Sequence, residues 1–166
     1  MVNVITLLSD ERIQYEGLFD IKELYKHAYN WLTWRKYDLS EKQYTEKVKA
    51  GGKDLEIKWE ATKYIDEYSS FEIKVRWLIF AMNDVEVKKG HETVKLQKGE
   101  INIYITANLK TDRQDYWAEN RIYSFMRAFY DRYLYRSSIE RLKGELWKIG
   151  WDLNNELKSF LNLYKY

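Results

Sequence analysis

From Lys42 to Lys110 apolar residues recur at every second position, and this period restricts the fold more than any other feature of the chain. Leu55, Ile57, Trp59 and Ala61 alternate with Glu56, Lys58, Glu60 and Thr62. Phe71, Ile73, Val75, Trp77, Ile79 and Ala81 repeat the pattern opposite Glu72, Lys74 and Arg76, and Ile101, Ile103, Ile105, Ala107 and Leu109 repeat it again. Strands of this kind bury one face and wet the other, as in an antiparallel sheet covered on one side. Turn signals separate the runs at Gly51-Gly52, Asp66 to Ser70, Lys89-Gly90 and Lys98-Gly99, and Asn83-Asp84 suggests a bend or bulge. Leu78 and Phe80 make one strand apolar on both sides, so cover on both faces is expected there.

The flanking segments read differently. Arg12 to Leu18 alternates as a short strand, with Val2 to Leu8 as its extension or as a separate edge piece. Asp20 followed by Glu23 is a capping-box arrangement, and it opens a helix with Ile21, Leu24, Tyr25, Ala28, Trp31 and Leu32 on one face, ending near Tyr37. The proline-free stretch from Asp112 to Tyr166 reads as helical, and a second capping spacing at Ser137 and Glu140 divides it in two. In its first part Ile122, Phe125, Met126, Phe129 and Tyr133 share one arc, beside a stripe of Tyr116, Tyr123 and Tyr130. In the second, Leu142, Leu146, Ile149, Leu153, Leu157, Phe160 and Tyr164 form one face, with Trp147 and Trp151 nearly opposite. The expected fold is α+β in a single domain over 1–166: an antiparallel meander of about five to seven strands, one N-terminal helix, and two long C-terminal helices on one sheet face.

Few residue patterns point to catalysis. Cysteine is absent, which removes disulfides, thiolate metal sites and a cysteine nucleophile. The two histidines, His27 and His91, fall on a polar helix side and in a turn, and no HExxH or DxDxDG spacing accompanies them. Gly51-Gly52 precedes a strand, so it is a hairpin signal and not a phosphate cradle. The carboxylate pairs Asp66-Glu67 and Asp112 with Asp115 sit at element ends, where turn and cap roles account for them. No catalytic residue, metal site or cofactor is therefore assigned, and an enzyme is the disfavoured class. A near-neutral balance of +2 argues against a dedicated nucleic-acid binder. No apolar run approaches the ~20 residues that span a bilayer, and Val2 to Leu8 lacks the basic flank of a leader. The expectation is a cytoplasmic protein, with contact at a membrane surface left open.

Two surfaces carry more apolar area than one sheet face can cover. Between Tyr116 and Tyr135, Arg121, Arg127 and Arg132 interleave with aromatics, a mixture that fills a core, stacks bases or meets a partner helix; Asp115, Glu119 and Asp131 dilute its charge. Trp147 and Trp151, turned away from the leucine face, imply a second contact. An interface built from Trp147, Trp151, Tyr116, Tyr123, Tyr130 and Arg127, in a homodimer or larger assembly, is one functional expectation.

The order strand, helix, antiparallel meander, long C-terminal helix resembles the helix-grip arrangement of the START-like superfamily, in which a curved sheet wraps the last helix and leaves an apolar cavity. The extra helix before Ser137 and the short segment from Trp31 to Lys42 depart from that pattern. The resemblance implies a site for a hydrophobic small molecule or lipid, lined by Trp59, Trp77, Ile103 and Ile105 of the sheet and by Phe125, Phe129, Leu146, Ile149 and Leu153 of the terminal helices. A non-catalytic binding protein of this kind is the leading expectation.

Overall fold

A computed structural model describes residues 2–111, 125–126, 129 and 136–163. The chain runs β1 (Asn3–Phe19), α1 (Ile21–Trp34), β2 (Asp38–Lys49), β3 (Gly52–Tyr64), β4 (Ser69–Lys89), β5 (Glu92–Thr111) and α2 (Arg136–Asn162). The strands form one antiparallel sheet in the order β1-β5-β4-β3-β2, so the first strand lies beside the last. The fold is α+β with five strands, and Val2 to Leu8 belongs to β1 from Asn3 onward.

That the count falls at the lower end of the expected five to seven has a physical cause. β4 is 21 residues long and β5 is 20, because the irregularity expected at Asn83-Asp84 is a bulge that the strand runs through and the turn expected at Lys98-Gly99 is absent. At the first, β4 bulges: Phe80 pairs with Glu100 and Asn83 with Lys98, leaving Ala81 and Met82 opposite Gly99. Ala81 adopts φ 52° there, and its amide donates to Asp54 Oδ1 at 3.0 Å. Gly99 serves close approach: a Cβ on it would stand 2.9 Å from the Phe80 carbonyl oxygen and 3.1 Å from Met82 Cα. The hairpins at Ala50-Gly51 and Gly90-His91 are two-residue loops, closed by the pairs Lys49 with Gly52 and Lys89 with Glu92.

One sheet face carries the core. Phe71, Ile73, Trp77, Ile79, Ile101, Ile103, Ile105, Ala107 and Leu109 are fully buried on it. α2 lies across β1 and β5, and Leu142, Leu146, Leu153, Leu157 and Leu161 are buried against them, each contributing about 1.5–3 kcal/mol by leaving water. At Gly150 the helix comes close to the sheet, and a Cβ there would collide with the Leu8 side chain of β1.

α1 covers the other half of the face. Its N-cap is Asp20, whose side chain accepts from the Glu23 amide at 3.2 Å, as the capping spacing predicts. It ends at Trp34, three residues before Tyr37, with Lys36 at φ 67° while the Tyr37 amide donates to Leu32 O and the Lys36 amide to Thr33 O. That is a Schellman closure with lysine in the left-handed position usually held by glycine. His27 is not simply solvated: Nε2 lies 2.9 Å from Glu156 Oε1 and the ring stacks on Phe160 of α2. The far face of the sheet is polar, and Phe80, expected to be covered there, is 41% exposed. No helix among the described residues is long and apolar enough to cross a membrane.

Candidate functional site

Two bulges build a pocket between α1 and the curled end of the sheet. In β2, Glu41 pairs with Trp59 and Gln43 with Lys58, so Lys42 is the extra residue and the inward positions change from odd to even. Tyr44 and Glu46 thereby turn toward α1. The bulge at Ala81 and Met82 does the same in β4, and Met82 and Asp84 turn inward. Together with Leu55 and Ile57 of β3 and Ile21 and Tyr25 of α1, these side chains line an open pocket of about 450 Å³. That volume lies within the range of small-molecule sites, roughly 300–1,000 Å³.

Hydrogen bonds hold the walls at fixed positions. Gln97 Oε1 accepts the Ile21 amide at 2.9 Å, which satisfies one of the open N–H groups at the start of α1. Its Nε2 donates to Asp84 Oδ1 at 3.1 Å, so one side chain ties the helix to the bulged strand. Tyr25 donates to Glu41 Oε2 at 2.6 Å, and Trp59 Nε1 reaches the same oxygen at 3.3 Å. Burial, followed by the hydrogen bond to Glu41 and that carboxylate's charge, pushes the Tyr25 hydroxyl up to about 12. Tyr25 is therefore a neutral donor at physiological pH. At the rim, Lys53 Nζ pairs with Glu46 at 3.0 Å, and Lys22 and Asp84 add one charge of each sign. The pocket has apolar walls, a few fixed polar groups and no strong net charge.

The residues expected to line a cavity under α2 are packed instead. Trp59, Trp77, Ile103, Ile105, Leu146 and Leu153 are each at most 2% exposed, and Trp59 and Trp77 meet edge to face at 5.1 Å. Ile149 is half-buried, whereas Phe125 and Phe129 are 76% and 53% exposed and do not join the sheet residues. Of the expected interface, Trp147 is 53% exposed, but Trp151 packs partly against the core and its indole N–H is buried with no hydrogen-bond partner among the described residues. Tyr116, Tyr123, Tyr130 and Arg127 lie outside the described residues, as do Asp112 and Asp115. Asp66 accepts from the Tyr68 and Ser69 amides at 2.8 and 2.6 Å, a turn role as expected. Gln97, Met82 and Asp84 were not singled out by sequence as site residues; the signal available was the Asn83-Asp84 irregularity, beyond which strand parity changes.

No protein-family model, no curated protein and no solved structure matches this chain.

Proposed function

We propose that this chain is a non-catalytic, cytoplasmic binding protein for a hydrophobic small molecule or lipid fragment, held in the pocket between α1 and the bulged ends of β2 and β4. The observation that carries this reading is the pocket itself: about 450 Å³, walled by Ile21, Tyr25, Tyr44, Leu55, Ile57 and Met82. Support comes from the bulges in β2 and β4, which turn Tyr44 and Met82 to the pocket when regular strands would point them away. The START-like resemblance favours the same class of ligand, with the site under the first helix in place of the last. Lys22, Gln97 and Asp84 at one end suit a ligand with an apolar body and one polar group. Methyl-labelled methionine makes a direct test, because Met82 lines the pocket while Met126 does not. Adding the neutral probe N-phenyl-1-naphthylamine should shift the Met82 methyl resonance alone. A response of Met126 without Met82, or no response, would sink the proposal.

Trp147 favours a second reading, an interaction module that self-associates or docks through the outer face of α2. Half of this large indole faces water, next to Trp151 at a ring separation of 6.2 Å. Size exclusion with light scattering decides: an oligomer that Trp147→Ala dissociates supports it, and a strict monomer at micromolar concentration removes the self-association form.

A further inference from the structure

We infer that the polar face of the sheet, opposite both helices, carries a separate oxyanion site, suited to the phosphate group of a small molecule. A pocket of about 340 Å³ opens on that face, lined among others by Lys42, Lys58, Lys74, Arg76 and Tyr104. In the register Lys58 stands directly opposite Arg76, two cations on adjacent strands, a pairing that weakens a sheet left to itself. Arg76 has no carboxylate to compensate it among the described residues: its guanidinium lies over the Tyr104 ring at 4.6 Å, and its Nε is buried with no hydrogen-bond partner. Lys74 reaches Glu72 only at 4.0 Å, and that carboxylate is already taken by Lys110 at 2.7 Å and Asn108 at 2.9 Å. Lys58 lies 3.5 Å from Glu56 and is 45% exposed.

Both edge strands are bulged at this pocket. The extra residue of β2 is Lys42, which lines the pocket and has no ion pair among the described residues. On β1 the register jumps from Leu8 to Glu11, and Asp10 takes φ 47° with its amide and carboxylate both bonded to Thr106 Oγ1. Bulges re-aim side chains, and here they turn Lys42 and Asp10 onto one face from opposite edges. Two carboxylates do line the pocket, Asp10 and Glu60, yet Asp10 is engaged by Thr106 and Glu60 stands opposite Lys74 in the register. Four cations against two carboxylates leave a cavity with a net positive balance. The planar fork of Arg76, flanked by point charges from lysines, matches a tetrahedral oxyanion.

Isothermal titration at constant ionic strength tests this with inorganic phosphate, pyrophosphate and phenyl phosphate, and with sodium chloride as the control. Saturable binding of at least one phosphate probe is expected in the wild type, weakened about tenfold by Arg76→Gln and by Lys42→Gln. Lys88→Gln, an exposed lysine farther along β4, should leave it unchanged. Lys42 lies on an edge strand, so its variant reports even where Arg76→Gln folds poorly. Tighter binding of phenyl phosphate than of inorganic phosphate identifies an organic phosphate as the source, and equal binding identifies the bare ion. The absence of saturable binding to any probe, or equal loss in Lys88→Gln, overturns the inference.

Discussion

Gln97 Oε1 accepts the backbone amide of Ile21 at 2.9 Å, so a side chain of the last strand closes the first turn of the first helix. The same Gln97 holds Asp84 beyond the β4 bulge, and two walls of the pocket depend on it. Gln97→Ala should cost about 1 kcal/mol of stability, seen as a lower urea midpoint with an unchanged slope. It should also weaken binding of the neutral probe. An unaltered midpoint and affinity would show that α1 is positioned by packing alone.

Glu72 is buried on the polar face, with Lys110 and Asn108 donating to its two oxygens. Burial by itself raises its carboxyl, but the hydrogen bonds from Lys110 and Asn108 and the charges of Lys110 and Lys74 outweigh that, and the group sits below the ordinary carboxylate range. A lowered folded value means stability that is present above the unfolded value of about 4.3 and lost as pH falls through the folded one. Glu72→Gln should therefore be less stable than wild type by about 1–3 kcal/mol at pH 7. The gap should narrow below pH 4. A gap that stays constant from pH 7 to pH 3 would contradict the assignment.

The two glycines of α2 should respond oppositely to alanine. Gly144 has open space where its Cβ would go, so Gly144→Ala gains about 0.5–1 kcal/mol of helix propensity. Gly150 packs against Leu8 and Ala107, and Gly150→Ala must push the Leu8 side chain out of a buried position. Thermal unfolding checks the pair: the first variant should melt higher than wild type and the second lower. Equal shifts would mean that α2 does not approach the sheet at Gly150.

The α+β class, the antiparallel sheet and the buried face of α2 were legible from their periods, and the Asp20 cap from its spacing to Glu23. The β2 bulge was not, and the β4 bulge showed only as a bend or bulge at Asn83-Asp84, without its change of parity. At Lys42 and at Ala81-Met82 one extra residue changes which parity faces α1, and a period-2 reading carried across that point assigns Tyr44, Glu46, Met82 and Asp84 to the wrong side. Gly99 read as a turn for a related reason, since a glycine required by the backbone of a neighbouring strand looks the same in sequence as one required by a turn. The site suffered most. Trp59, Trp77, Ile103 and Ile105 stand on regular strand segments and fill the core, while Tyr44, Glu46, Met82 and Asp84 of the pocket lie beyond the irregularities.

Fluorescence titration with N-phenyl-1-naphthylamine, comparing wild type with Met82→Trp, tests the binding role most directly. Met82 projects from the bulge into the pocket, and an indole at that position fills space that the probe needs. Saturable binding by wild type is predicted, lowered about tenfold or more by Met82→Trp, a change of about 1.4 kcal/mol, with the thermal midpoint of the variant close to that of wild type. No saturable binding to wild type, or equal affinity in the two proteins, would contradict a ligand site between α1 and the sheet.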